Sequence, residues 1–86
     1  MNNQQRTFDY LSQGSERQFI GALGYLHACK DLGIVYDYWF HEHEKPMRVG
    51  VTFTDLTKVD LVETNLQRFY NFQRKGWGFF FSNKGN

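Results

Sequence analysis

The sequence predicts an α+β domain of the ferredoxin-like kind, with a four-stranded antiparallel sheet and two helices packed on one face. Strand-like and helix-like segments follow one another in the order β-α-β-β-α-β, which is the split βαβ motif. The two halves are similar, since each has a hydroxyl-capped helix that ends near a glycine and leads into an aromatic strand. The 86 residues include nine Phe, five Tyr and two Trp, which supports one packed core, whereas two cores would each be too thin.

The first strand is predicted at Arg6 to Ser12, because Phe8 and Tyr10 share one face at a period of two. It is the weakest of the predicted elements. Without it, the alternative is an α-β-β-α-β order with a three-stranded sheet.

The first helix is predicted over residues 16–32. Ser15 and Gln18 have the spacing of a capping box, and Gly33 suits a left-handed cap at the other end. The predicted apolar face of this helix consists of Phe19, Ile20, Leu23, Leu26 and His27. Tyr25 and Leu32 lie off that face.

The next two segments predict a hairpin, with strands at Ile34 to His43 and Met47 to Thr54 and a break at Glu44 to Pro46. One face of the first hairpin strand carries Ile34, Tyr36, Tyr38 and Phe40, and the other carries Val35, Asp37, Trp39, His41 and His43. In the second, Met47, Val49, Val51 and Phe53 alternate with Arg48, Gly50, Thr52 and Thr54.

The second helix is predicted to begin at a Thr57 cap and to end at Gly76. Its predicted apolar stripe is Val59, Val62, Leu66, Phe69 and Tyr70, with Leu61 and Phe72 roughly opposite. The last strand is predicted at Trp77 to Ser82.

Composition narrows the class of protein. The net charge of +1 and the many aromatic residues argue against intrinsic disorder, and no apolar run reaches the length of a membrane span. Cys29 is the only cysteine, so an internal disulfide is excluded. Because the polar start lacks the pattern of a signal peptide, we expect a cytoplasmic protein, with one domain at residues 6–82 between a flexible tail at 1–5 and a polar tail at 83–86.

Few residues are arranged for chemistry. His41 and His43 would point to one face of a strand and are weak candidates for a metal site, which would still need further ligands. Cys29 is expected to be a semi-buried thiol and His27 a packed side chain with one hydrogen bond. Asp37 beside Trp39 could be an acid or base with a raised pKa, but an ordinary exposed carboxylate is the simpler interpretation. We therefore expect no enzyme activity and no cofactor.

Charge is unevenly distributed along the chain. Residues 1–63 hold six basic and nine acidic side chains, whereas residues 64–86 hold only the cations Arg68, Arg74, Lys75 and Lys84. Aromatic residues are interleaved with these cations. Stacking aromatics beside cations are typical of proteins that bind single-stranded RNA or DNA, which gives one hypothesis for the function. Cations at the end of a helix are also explained by the helix dipole alone.

The order of the elements is similar to that of the RNA-recognition-motif family, in topology only. That family carries stacking aromatics on its first and third strands, with the third-strand signature K/R-G-F/Y-G/A-F-V-x-F/Y. Here the third strand would expose Arg48, Gly50, Thr52 and Thr54, with no aromatic residue among them. This departure counts against membership of the family.

A surplus of apolar side chains favours a protein interface, where Trp, Tyr and Arg are enriched. The leading hypothesis is a non-enzymatic protein-binding module, an adaptor or an inhibitor of the phage or mobile-element type, that binds a larger protein or dimerises through its sheet. The predicted contact residues are Trp39, Arg48, Leu61, Arg68, Phe72, Arg74, Lys75 and Trp77. A third hypothesis is a small dimeric α+β-barrel enzyme with His41, Asp37 and Trp39 lining its pocket.

Overall fold

The computed structural model describes residues 5–75 and has the predicted element order. The elements are β1 (Arg6–Ser12), α1 (Glu16–Asp31), β2 (Asp37–His41), β3 (Arg48–Phe53), a 3-10 turn (Leu56–Lys58), α2 (Val59–Tyr70) and β4 (Phe72–Arg74). The strands form one antiparallel sheet in the order β2-β3-β1-β4. The α+β class, the ferredoxin-like order and the first strand are therefore confirmed.

The register of the sheet defines which side chains face the helices. Val51 of β3 pairs with Phe8 of β1 and with Tyr38 of β2, so all three point the same way. The ring of Phe40 lies 6.2 Å from Phe19 of α1, which identifies this side as the helix-bearing face. The core between sheet and helices is formed by Tyr10, Phe19, Ala22, Leu26, Cys29, Val35, Val49, Val51, Phe53, Val59, Val62, Leu66 and Phe72.

The buried side of α1 differs from the predicted one. Phe19 and Leu26 are buried as expected, but Ile20 is 60% exposed and His27 is also exposed. Ala22 and Cys29 take the remaining buried positions. These short side chains allow the helix to lie close to the sheet, and the whole apolar stripe is rotated relative to the prediction.

The hairpin strands are shorter than predicted, because the chain before β2 is used to close the end of α1. The N–H groups of Ile34 and Val35 both donate to the carbonyl of Cys29. This turn directs Val35 into the core, where it is 1% exposed, although the strand pattern had assigned it to the face away from the helices. The prediction that Tyr38 and Phe40 share a face is confirmed, since both contact α1.

The second helix begins and ends differently from the prediction. Thr57 is not the cap: Asp55 caps the 3-10 turn that precedes α2, since its carboxylate accepts from the Thr57 N–H. The helix α2 itself follows Lys58, which makes no side-chain cap hydrogen bond. The helix ends at Tyr70 because Asn71 adopts the left-handed conformation (φ 60°, ψ 45°), which Asn tolerates better than most residues. The fourth strand follows at once, so the predicted cap at Gly76 is wrong. The predicted strand at Trp77 to Ser82 lies outside the described residues.

Within residues 5–75, neither helix has the length and apolar character needed to cross a membrane.

Candidate functional site

The face of the sheet opposite the helices, here called the distal face, brings together side chains from all four strands. By register these are Thr7, Asp9 and Leu11 of β1, Asp37, Trp39 and His41 of β2, Arg48, Gly50 and Thr52 of β3, and Gln73 of β4. Strand alternation correctly assigned Trp39, Arg48, Gly50 and Thr52 to this side. Trp39 is the only aromatic residue among them.

Trp39 lies over the centre of the distal face. Gly50 pairs with Trp39 on one side and with Asp9 on the other, so the three residues form a row across the sheet. A Cβ atom built on Gly50 would lie 3.4 Å from Trp39 Nε1 and 3.2 Å from Asp9 Oδ1. The indole and the carboxylate therefore close over the Gly50 backbone, and a larger residue at position 50 would push against both. The indole remains 43% exposed.

Arg48 lies in the next row, in register with His41 and Leu11. Its Nη2 atom donates to Glu44 Oε2 at 3.3 Å, and His41 Nδ1 is 4.0 Å from the same oxygen. The Nε atom of Arg48 is buried and has no hydrogen-bond partner in the described part of the chain. Most of this side chain is covered, with 20% exposed, so Glu44 neutralises a guanidinium that is held close to the sheet.

A pair of threonines lies on the other side of the Trp39 row. The hydroxyl groups of Thr7 and Thr52 are hydrogen-bonded at 2.8 Å, and Thr52 is only 5% exposed. The distal face thus combines one half-exposed aromatic ring, neutral hydrogen-bonding groups and charges of both signs.

The predicted contact residues do not form one surface. Trp39 and Arg48 lie on the distal face, whereas Leu61 and Arg68 lie on the outer side of α2, where both are exposed. Lys75 follows β4 and is exposed. The two groups are on opposite sides of the molecule, so a single partner surface would engage only one of them.

Phe72 does not lie on the surface, so its predicted position opposite the core is wrong. It is 1% exposed and stacks on Phe19 with ring centroids 6.1 Å apart. The reason is the early end of α2 at Tyr70, which makes Phe72 the first residue of β4 and turns it towards the helices. Trp77 lies outside the described residues. Phe69, predicted to be buried, is 58% exposed.

Arg74 is held in an ion pair that the sequence did not indicate. Glu63 Oε1 of α2 accepts from Arg74 Nε at 2.9 Å, from Arg74 Nη2 at 2.7 Å and from the Tyr10 hydroxyl at 3.1 Å. The Arg74 guanidinium also lies 4.7 Å from the ring centre of Phe8. Burial raises the pKa of Tyr10, and the neighbouring Glu63 carboxylate raises it further. The sequence signal for this cluster is Glu63, a single acidic residue beside the apolar stripe of α2.

The residues considered for chemistry are dispersed. β2 ends at His41, so His43 lies beyond the strand and the same-face spacing does not apply. No group of three metal-binding side chains occurs within residues 5–75. Cys29 is buried, which raises the pKa of its thiol. His27 is exposed rather than packed, with Nδ1 at 3.3 Å from the Tyr38 hydroxyl.

Asp37 is an ordinary carboxylate rather than one with a raised pKa. It starts β2 at the edge of the sheet and receives Lys30 Nζ of α1 at 3.0 Å and the N–H of Tyr38 at 2.8 Å. The ammonium group of Lys30, followed by the Tyr38 N–H, lowers the pKa of Asp37. This carboxylate is therefore poorly suited to accept a proton near neutral pH.

Comparison with known proteins gives no relative: no family model, curated protein or solved structure matches the chain. A function therefore has to be inferred from the residues described above.

Proposed function

We propose that this chain is a small, non-enzymatic protein-binding module that acts by covering a surface on a larger protein with its distal face. The observation that carries the proposal is the position of Trp39, which is 43% exposed and lies over Gly50 in the middle of the sheet. A large ring seated on a rigid strand loses little side-chain freedom on binding, and Trp is among the residues that contribute most to protein interfaces.

The surroundings of Trp39 suit a protein partner. Arg48 lies in the neighbouring row of the distal face, and Thr7 and Gln73 are exposed polar groups on the same face. An apolar centre with a polar rim is the usual arrangement of a protein interface. The partner surface would have an apolar side chain or shallow pocket for the indole, with hydrogen-bond acceptors around it.

A protein partner is favoured over single-stranded nucleic acid. Nucleic-acid binding needs cations along the phosphate path and several stacking aromatics. The distal face of the described strands has one aromatic residue, and its cation Arg48 is neutralised by Glu44 at 3.3 Å. Of the described C-terminal cations, Arg74 is paired with Glu63, Arg68 lies on the helical side, and Lys75 is a single exposed cation that follows β4.

The role of such a module would be that of an adaptor or an inhibitor, which needs a complementary surface and no reacting groups. An inhibitor of the phage or mobile-element type remains one form of this hypothesis. The cytoplasm remains the proposed location.

The test is quantitative affinity purification from the native cell, followed by mass spectrometry, with wild-type protein and the Trp39→Ala variant. We expect a partner that is retained by the wild type and reduced at least tenfold by Trp39→Ala, since truncation of a central Trp costs about 2 kcal/mol or more. A photo-crosslinking residue at position 39 should then link the chain directly to that partner.

The matched control is Tyr36→Ala, which removes an aromatic side chain that is 54% exposed just before β2. It should leave the partner bound. If Trp39→Ala and Tyr36→Ala retain the same proteins equally, the distal face is not the binding surface. If the wild type instead binds an oligonucleotide with an affinity that falls steeply as salt is raised, the nucleic-acid hypothesis replaces this one.

A further inference from the structure

The outer side of α1 carries a pattern that reads the same in both directions. The residues of α1 that point away from the core include Arg17, Ile20, Gly24, Ala28 and Asp31, and all five are exposed. Their spacings are three, four, four and three residues, with Gly24 at the midpoint. A basic residue stands at one end of this row and an acidic residue at the other.

This pattern is self-complementary in one orientation only. If a second copy of α1 packs antiparallel with Gly24 on the two-fold axis, each Arg17 meets the partner's Asp31 and each Ile20 meets the partner's Ala28. Parallel packing would instead bring like charges together at both ends. A two-fold interface in which residue i meets residue j and j meets i is the commonest form of protein dimer.

Arg17, Asp31 and Gly24 of this row are each unfavourable for a helix that packs only within its own chain. Arg17 lies in the first turn and Asp31 is the last residue of the helix. Positive charge near the N-terminus and negative charge near the C-terminus both oppose the helix dipole. The adjacent Glu16 and Lys30 follow the dipole, so the unfavourable order belongs to the outer row.

The third of these residues is Gly24. Glycine inside a helix is destabilising relative to alanine, and at Gly24 a Cβ atom would meet nothing within 4 Å. Gly21 differs, because its Cβ would lie 3.0 Å from Tyr70 Cε1 of the same chain. Packing within the monomer therefore accounts for the glycine at position 21 and not for the one at position 24. The close approach of another helix would account for it.

Ile20 adds apolar surface to the same row. Its side chain is 60% exposed and lies one turn from Gly24, next to Ala28 of the partner in the antiparallel arrangement. Arg17 forms no ion pair within residues 5–75, and Asp31 has only His27, at 3.8 Å. Both charges are therefore available to a second chain.

We propose that the chain forms a two-fold symmetric homodimer in which α1 packs antiparallel against α1 of a second copy, crossing at Gly24. The interface lies on the helical side, so the distal face of each copy stays accessible. The dimer would present two copies of the Trp39 surface facing away from each other, and it does not depend on the proposed function of that surface.

The decisive experiment is a charge swap followed by sedimentation analysis of the full chain at low salt, over a range of protein concentrations. Arg17→Asp alone, or Asp31→Arg alone, converts two attractive contacts into two repulsive ones, and we expect each to raise the dissociation constant of the dimer roughly tenfold. The double variant, with Arg17→Asp and Asp31→Arg, restores opposite charges and should recover the wild-type constant.

Loss of folding cannot imitate this result. Both single substitutions bring α1 into agreement with its dipole, so circular dichroism should show helices at least as stable as in the wild type. Gly24→Glu supplies a second variant, because glutamate favours helices while two carboxylates on the two-fold axis would exclude the dimer.

Trp39→Ala is the control, and it should leave the dimer unchanged. A wild-type chain that sediments as a monomer at every concentration would overturn the proposal. So would a dimer that resists both single substitutions, or a charge swap that fails to restore association. A dimer lost in Trp39→Ala but not in Gly24→Glu would assign self-association to the sheet instead.

Discussion

The two helices pack on the same sheet but differ on their outer sides. In α2 the charges follow the helix dipole, with Asp60 in the first turn and Arg68 in the last, as expected for a helix that faces water. In α1 the outer row has the opposite order, with Arg17 early and Asp31 late, around an interior glycine. Exposure to solvent alone explains the charge order of α2, but it does not explain the reversed charges and the interior glycine on the outer side of α1.

The buried sides of the helices are much more alike, and this part of the comparison can be tested first. Leu26 of α1 and Leu66 of α2 are both 0% exposed. Truncation of either to alanine should lower the free energy of unfolding by about 2–5 kcal/mol, through lost burial and the cavity left behind. Urea denaturation at low protein concentration provides the measurement.

Leu32→Ala is the matched control, since that leucine is 75% exposed and its loss should change stability by about 0.5 kcal/mol or less. A much smaller effect for Leu26→Ala than for Leu66→Ala would mean that α1 is not anchored as deeply as α2. The difference between the helices would then extend to their inner sides.

The ion pairs that join the helices to the outer strands also differ. α2 is joined to β4 by Glu63 and Arg74 at 2.7 Å, with Tyr10 as a third member. Glu63→Ala would leave the Tyr10 hydroxyl, in a residue that is 0% exposed, without its acceptor, and we expect a loss of about 1–3 kcal/mol. Thermal and urea unfolding would both record it.

α1 is joined to β2 by the more exposed pair of Lys30 and Asp37, and Asp37→Ala is the matched comparison. Its effect on stability should be much smaller, because solvent screens the pair. Equal losses for Glu63→Ala and Asp37→Ala would contradict the distinction between a half-buried and an exposed link.

The two glycines of α1 provide a finer test of the outer row. Gly24→Ala should stabilise the monomer by about 0.5–1 kcal/mol, since the methyl group meets no other atom and alanine favours helices. Gly21→Ala should gain less or be destabilising, because its Cβ would lie 3.0 Å from Tyr70 Cε1. Melting temperatures at low protein concentration would rank the two variants. A Gly21→Ala variant more stable than Gly24→Ala would contradict the assignment of Gly21 to a tight contact and of Gly24 to open space.

The contrast between the helices also shows what the sequence could predict. The capping box predicted at Ser15 and Gln18 forms in the structure, because a cap depends on residues three positions apart. The predicted buried side of α1 is wrong, because the burial of Ala22 and Cys29 in place of Ile20 depends on how closely the helix approaches the sheet. Periodicity and capping patterns in the sequence do not predict the distance between a helix and the sheet.

The largest error followed from one residue at the end of α2. Asn71 ends the helix in a left-handed conformation, whereas glycine, the commoner residue at this position, occurs five residues later at Gly76. Because the helix was predicted to continue to Gly76, Phe72 was placed on its surface, and Arg74 was not expected on a strand that faces Glu63. On the distal face, alternation was sufficient for Trp39 and Gly50, but their contact became visible only through the register of three strands.

The smallest predicted effect concerns the link between α1 and β2. The hydrogen bond from Lys30, and then that from the Tyr38 N–H, lowers the pKa of Asp37. A carboxylate with a lowered pKa in the folded state stabilises the fold above its ordinary pKa, and that contribution is lost as the pH falls through the folded value. Lys30→Met should therefore move the pKa of Asp37 back towards its ordinary value and make stability fall less steeply as the pH is lowered. Carboxyl NMR titration and unfolding at several pH values would measure the two effects.

Asp55 is the internal control, because its pKa is lowered by the hydroxyl and N–H of Thr57 and should not respond to Lys30. An Asp37 titration that is unchanged in Lys30→Met would contradict the Lys30–Asp37 hydrogen bond, whereas a shift confined to Asp37 would confirm that a side chain of α1 binds the edge strand of the sheet.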